Sequence, residues 1–116
     1  MCRVLIVDDD QLTLDALSEV MGSAGHEVTT ARDGRTALAC AYGLVPELVI
    51  CDWMMPDMDG TQLLSAMKLS PLLSHIPVLM MSGVKPPSSR LPYQGFLRKP
   101  VNFSSLREFL QDNGLH

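Results

Sequence analysis

Short runs of apolar, often β-branched residues recur along this chain, and between them lie stretches with helical periodicity. The first run, "RVLIV" (3–7), is too short for a helix and continuous enough for a strand buried on both faces. In the "QLTLDALSEVMGSAG" that follows, Leu14, Leu17, Met21 and Ala24 recur at three- and four-residue spacing. Asp10 is placed to cap the start of that helix, and Gly22 and Gly25 lie near its end. "HEVTTA" (26–31) reads as a second strand. The helix after it runs through "DGRTALACAYGL", with Ala37, Leu38 and Ala41 facing inward and Gly43 and Pro46 closing it. "ELVIC" is the third strand and "GTQLLSAMKL" the third helix, ended by Ser70-Pro71. "IPVLMMS" (76–82) and "GFLRK" (95–99) are the fourth and fifth strands, and "FSSLREFLQD" (103–112) is a last helix behind an Asn102 cap. Alternation of this kind with short connections predicts an α/β fold, a parallel sheet with helices on both faces.

The 116 residues suffice for one domain and one core, so residues 1–116 are expected to be a single unit. A hydrophobic fraction of 47% against 19% charged residues fits a well-buried globular protein. The net charge of −4, with no basic run or basic helix face, argues against nucleic acid as a direct partner. No apolar stretch approaches the roughly 18 residues of a membrane span, and "MCRVLIVDDD" is not a signal peptide. No membrane association is expected. Cys2, Cys40 and Cys51 are odd in number, lack CxxC spacing and sit among apolar residues, which reads as reduced core cysteines in a cytoplasmic protein.

In open parallel sheets, functional residues gather at the carboxyl ends of the strands. There the sequence places Asp8 and Asp9, Asp52, Ser82 and Lys99. Asp52 is the hardest to explain as packing, because it ends an apolar strand and is followed by Trp53-Met54-Met55. An isolated ionised carboxylate in such surroundings costs several kcal/mol. Three converging carboxylates would raise one another's pKa unless a cation were present, and an all-oxygen set suits a hard divalent ion, Mg2+ first. A hydroxyl and an ammonium beside that ion complete a site for a phosphoryl group. Taken singly, three consecutive acids read as a solvated loop, Ser82 as a turn residue and Lys99 as a surface lysine. Their conjunction at inferred strand ends points to chemistry.

The segments "VLIVDDD", "LVICDWMMPDMDG", "IPVLMMSG" and "FLRKP", in this order and with thirty residues from Asp52 to Ser82, resemble the receiver domain of bacterial two-component response regulators, the CheY-like superfamily. The resemblance covers nearly the whole chain. It implies a doubly wound (βα)5 flavodoxin-like three-layer sandwich around a five-stranded parallel sheet. It also implies a phosphoacceptor role for Asp52, which would take a phosphoryl group from a sensor histidine kinase or a histidine phosphotransfer protein. Asp8, Asp9, Asp52 and the backbone carbonyl of Met54 resemble the ligands of Mg2+, for which Mn2+ can substitute. Ser82 and Lys99 resemble the hydroxyl and the lysine that contact the phosphoryl oxygens. Phe96 resembles the aromatic switch residue that moves together with Ser82, and Pro100 the proline preceded by a cis bond. Such a protein is no enzyme toward other substrates and catalyses only its own phosphorylation and dephosphorylation.

Two departures from the family pattern stand out. Only 17 residues separate Ser82 from Lys99, and the segment "GVKPPSSRLPYQG" holds Pro86, Pro87 and Pro92. Proline costs about 3 kcal/mol inside a helix, so the helix normally found between the fourth and fifth strands is expected to be shortened or replaced by a loop over 84–94. Second, Met54 and Val84 occupy the positions that line the route of the hydrolytic water in the family, and neither orients water by a hydrogen bond. A persistent phosphorylated state is the expectation.

The rival from another class is a receiver-like interaction domain that signals without phosphorylation, kept open by the altered 84–94 segment. A haloacid-dehalogenase-like phosphatase wants a second acid two residues after its nucleophile, where Met54 stands. A Rossmann nucleotide-binding domain wants a Gly-rich turn that "DDDQLTLD" does not offer. A downstream protein target or an attached output domain is left unnamed by the sequence, which suits a free-standing regulator or a piece of a longer protein equally.

Overall fold

The computed structural model describes residues 1–55, 58–83 and 93–115. The described elements, in chain order, are β1 (Arg3–Val7), α1 (Gln11–Ser23), β2 (Glu27–Ala31), α2 (Gly34–Leu44), β3 (Leu48–Asp52), α3 (Gly60–Lys68), β4 (Val78–Ser82), β5 (Gly95–Arg98) and α4 (Phe103–Asp112). The five strands form one parallel sheet in the order β2-β1-β3-β4-β5. The expected doubly wound architecture is therefore present. The helix expected to be shortened or replaced by a loop over 84–94 falls, for residues 84–92, outside the described residues, as does Val84.

The unbroken apolar strands follow from burial on both faces. Alternate residues Leu5, Val7, Val49, Cys51, Val78 and Met80 pack with Ala37 and Ala41 of α2 and Leu63, Leu64 and Met67 of α3. The intervening Val4, Ile6, Leu48, Ile50, Leu79 and Met81 pack with Leu14, Leu17 and Met21 of α1 and Leu106 and Leu110 of α4. Every residue of β3 and β4 is buried. Period-two alternation thus divides two cores between opposite faces of the sheet without leaving a polar face.

Each helix starts at the carboxyl edge of the sheet under a side-chain cap. Asp10 accepts from the Leu12 amide, Asp33 from Thr36, Asn102 from Ser104 and Ser105, and Asp59 forms a full capping box with Gln62. Two details of the termini differ from the periodicity reading. Gly43 lies inside α2, and Val45 closes the helix in the left-handed region, at φ 46°. The third strand also extends one residue further than its apolar run, so that Asp52 belongs to β3 itself.

At the opposite end of the sheet, the buried Cys2 amide donates to His26 Nδ1 at 3.1 Å, with Cys2 Sγ 3.2 Å from the same nitrogen. Nδ1 must accept, which requires a neutral ring with its proton on Nε2. Burial, opposed by Glu47, holds the His26 pKa below its ordinary 6.5. The unfolded chain then binds the extra proton first, so this contribution to stability is full at higher pH and falls as pH drops through the ordinary histidine range. Urea unfolding should show wild type losing more stability between pH 7.5 and 5.5 than His26→Asn, which keeps an acceptor but does not titrate. Equal losses in the two proteins would refute this role.

Candidate functional site

The ladder continues one step past the strands and carries the sequence-predicted residues to one edge. Asp8 N donates to Ala31 O at 3.1 Å, Trp53 N to Met81 O at 2.8 Å, and Lys99 N to Ser82 O at 2.8 Å. Because Val7 pairs with Cys51, Asp8 follows in register beside Asp52. Asp52 pairs with Met81, which puts Ser82 one residue beyond on the neighbouring strand. The strand order turns back at β1 and β3, so Asp8 and Asp52 flank the switch point where an open α/β sheet leaves a crevice. Asp8, Asp52 and Ser82 are buried, at 0%, 6% and 1% exposure, while Asp9 is exposed.

Lys99 binds these acids together. Its Nζ donates to Asp8 Oδ2 at 2.6 Å and stands 3.4 Å from Asp52 Oδ2. Asp8 Oδ1 also accepts from the Asp10 amide at 2.9 Å, so both oxygens of this fully buried carboxylate have a close partner. Asp52 is less well served. Besides Lys99 it has a long contact, 3.4 Å, from the Met54 amide to Oδ1, beyond the range of a good N–H···O bond. Burial first and Asp8 second push the Asp52 pKa up to about 6, against the pull of Lys99 and the Met54 amide. Burial works to lower Lys99, but hydrogen bonding and charge from Asp8 and Asp52 outweigh it and raise its pKa. At pH 7 the site therefore holds an ionised, under-solvated Asp52 beside a firm ammonium.

One carboxylate oxygen from each of Asp8, Asp9 and Asp52 lies within 4.8 Å of the others. Oxygens bound to one Mg2+ at about 2.1 Å are at most about 4.2 Å apart, so small movements would close this set on an ion. The donors are all hard, and Lys99, shared with Asp8, compensates the Asp52 charge only in part. Both properties fit a small divalent cation.

The chain matches the response regulator receiver domain model over residues 4–111. It belongs to the receiver domain family. The chemotaxis protein CheY4 of Vibrio cholerae superposes with a TM-score of 0.89 at 33% identity, over 97% of this chain and 98% of that one. The receiver domain of a signal transduction histidine kinase from Syntrophus aciditrophicus gives 0.88 at 27% identity, over 97% and 89%. Response regulator PleD of Caulobacter vibrioides is 36% identical over 107 residues, which are 86% of this chain but only 23% of PleD. Receiver domains serve as phosphoacceptors in two-component signalling, take their phosphoryl group from histidine kinases and bind Mg2+ at their acidic pocket.

The receiver site gathers most of the residues expected of it. Asp8, Asp9, Asp52 and Lys99 meet, Ser82 borders them, and the Lys99-Pro100 peptide is cis. Phe96, on β5, pairs with Met80 of β4 and packs, partly buried, against the core on the α2 and α3 side. The Met54 side chain is 62% exposed, and an open cleft of about 460 Å3 lies against it, lined also by Asp9, Trp53, Met55 and Asp59. Two contributors were not legible beforehand. Arg32 reaches the Asp9 carbonyl with Nη2 at 3.3 Å, and the Met54 amide turns back on Asp52. Both depend on loop paths that no residue pattern announces. Among the described residues, no helix is long and apolar enough to cross a membrane, and the three cysteines are free, with Cys2 and Cys51 buried as expected and Cys40 partly so.

A folded-state pKa raised above 3.8 makes a contribution that is full at low pH and lost as pH rises through about 6. Ionised Asp52 therefore destabilises the metal-free protein at pH 7. Asp52→Asn should be more stable there by about 3 kcal/mol in urea unfolding, and Mg2+ should narrow the difference by stabilising wild type preferentially. A variant less stable than metal-free wild type would contradict this account.

Proposed function

We propose that Asp52 is the phosphoacceptor of this receiver domain, and the observation that carries this reading is its pairing of burial with incomplete compensation. An oxygen of the Asp52 carboxylate attacks the phosphorus of a phosphohistidine on a kinase or phosphotransfer protein. The bond from phosphorus to the imidazole nitrogen breaks, its electron pair returns to the ring, and the product on this chain is an acyl phosphate. Asp8, Asp9, Asp52 and the Met54 carbonyl would hold Mg2+, or Mn2+ in its place, which supplies positive charge where the phosphoryl oxygens gather. Lys99 lies within reach of an oxygen of the incoming group and moves its attraction from Asp8 and Asp52 to the phosphoryl. The Ser82 hydroxyl, at the end of the adjacent strand, donates to another.

The same reading makes Phe96 the element that reports the event, with the movement of Ser82 toward the phosphoryl group shifting the population of ring positions at the sheet edge. The protein that reads this change, whether a separate target or an attached output domain, is then regulated by a chain that catalyses only its own phosphorylation and dephosphorylation.

Incubation with acetyl phosphate and Mg2+ should add one phosphoryl group, read by intact mass. Asp52→Asn or removal of the metal with EDTA should abolish the addition, and Lys99→Ala should slow it. Failure of wild type to gain the group would favour an interaction domain that works without phosphorylation.

The exposed Met54 thioether does not orient an attacking water, which supports a long-lived acyl phosphate. Met54→Asn should shorten the lifetime about five-fold, the effect of one oriented hydrogen bond of about 1 kcal/mol. The check is decay of the phosphorylated mass after the donor is removed, and an unchanged lifetime would refute the assignment.

A further inference from the structure

We infer that Gly34, the first residue of α2, is a positioning residue for the phosphoryl-transfer site, acting through Met58 on the connection between β3 and α3. The inference rests on the reading of Asp52 as phosphoacceptor.

Glycine at this place needs a reason. In a helix it is less favourable than alanine by about 1 kcal/mol, and Gly34 is not among the positive-φ residues, the glycines of that kind being Gly25 and Gly114. Conformation does not demand it. Space does: a Cβ on Gly34 would lie 2.7 Å from both Cγ and the carbonyl oxygen of Met58 and 2.8 Å from its Cβ. The thioether arm could turn aside, but the backbone oxygen could not without moving the connection.

The helix would not yield instead. Its start is pinned by Asp33, which accepts from the Thr36 amide at 2.7 Å and the Thr36 hydroxyl at 3.0 Å. Ala37 and Ala41 on the same helix are fully buried against the sheet. The other end of the connection is equally close. A Cβ on Gly60 would meet the Asp52 carbonyl oxygen at 2.7 Å and Trp53 Cα at 2.9 Å, and Gly60 N donates to Trp53 O at 2.8 Å. Two glycines thus hold the connection by backbone contact, Gly60 at the start of α3 against the end of the phosphoacceptor strand and Gly34 at the start of α2 against Met58. Met54 lies along the chain between Trp53, which meets Gly60, and Met58, which meets Gly34, with its amide directed at Asp52. Displacement at Met58, resisted at Gly60, is taken up by the residues that set the direction of the Met54 peptide and the Asp52 carboxylate.

Gly34→Ala should weaken divalent-ion binding roughly ten-fold, as changes behind a metal ligand do, and slow phosphorylation by acetyl phosphate by a similar factor. Mn2+ affinity is read from the EPR signal of the free ion, and phosphorylation from intact mass. Two controls separate positioning from general destabilisation. Gly43→Ala, in the same helix with nothing within 4 Å of the added carbon, should match wild type. Leu17→Ala, in the core on the other face of the sheet, should lower stability while leaving the Mn2+ Kd within about two-fold of wild type.

A folded Gly34→Ala with wild-type Mn2+ affinity overturns the inference. Should that variant not fold, Met58→Ile decides: a branch at the Cβ already seated on Gly34 cannot turn aside, so it should weaken Mn2+ binding several-fold, and wild-type affinity there overturns the inference equally. Wild type that binds Mn2+ but accepts no phosphoryl group refutes the phosphoacceptor reading alone, since the affinity comparison still tests Gly34. Wild type that binds no Mn2+ overturns both.

Discussion

The carboxyl edge of the sheet is organised around an electrostatic conflict. Asp8, Asp9 and Asp52 converge within 4.8 Å, two of them buried, and the ammonium of Lys99 is in direct contact with both buried ones. One cation does not neutralise three anions, and the deficit falls on Asp52, whose partners stand at 3.4 Å while Asp8 has its own at 2.6 and 2.9 Å. A buried ion pair is seldom retained for stability, because desolvation offsets much of the attraction. Here the imbalance makes the less closely partnered of the two buried carboxylates the one that the proposed chemistry needs as a nucleophile, and leaves room for a further cation.

Only a rigid frame sustains such a cluster. The parallel sheet supplies it, since β3 and β4 are buried along their whole length between two separate apolar layers. Charges at the strand ends cannot relax by fraying into solvent without exposing those layers. The helix caps add to the acidic character of this edge, because Asp10, Asp33 and Asp59 sit there for a different reason, to satisfy amides at helix starts. The run Asp8-Asp9-Asp10 therefore combines two tasks. Asp8 and Asp9 face the cluster, and Asp10 caps α1 while its amide supports Asp8.

On the proposed reading, this arrangement also explains why a small covalent event has structural consequences. Transfer of a phosphoryl group replaces a strained carboxylate by a group with more acceptor oxygens, and Lys99 and Ser82 gain partners there. Both residues terminate or follow the strands at the open side of the sheet, where Phe96 is only partly buried. A shift in populations needs differential contacts in the two states. The contacts that change are those of Lys99 with Asp8 and Asp52.

Much of this was legible in the residues. Unbroken apolar runs such as Leu48–Cys51 announced strands buried on both faces, the spacing of apolar residues announced α1 and α2, and Asp10 and Asn102 announced the caps of α1 and α4, because local sterics and hydrogen bonding act over a few residues. The candidate site residues were legible for the same reason, as polar groups interrupting apolar strands at their ends. Other features required the assembled chain. That Lys99 divides itself between Asp8 and Asp52, that Asp52 is the acid left short of partners, that Arg32 reaches the Asp9 carbonyl and that Gly34 leaves room for Met58 all depend on distances between segments far apart in sequence. The sequence determined the elements and the chemical inventory of the sheet edge, since these follow from local periodicity and residue type. Tertiary structure alone decided how charge and space are shared there, since Coulomb energy and steric contact depend on separations that only packing sets.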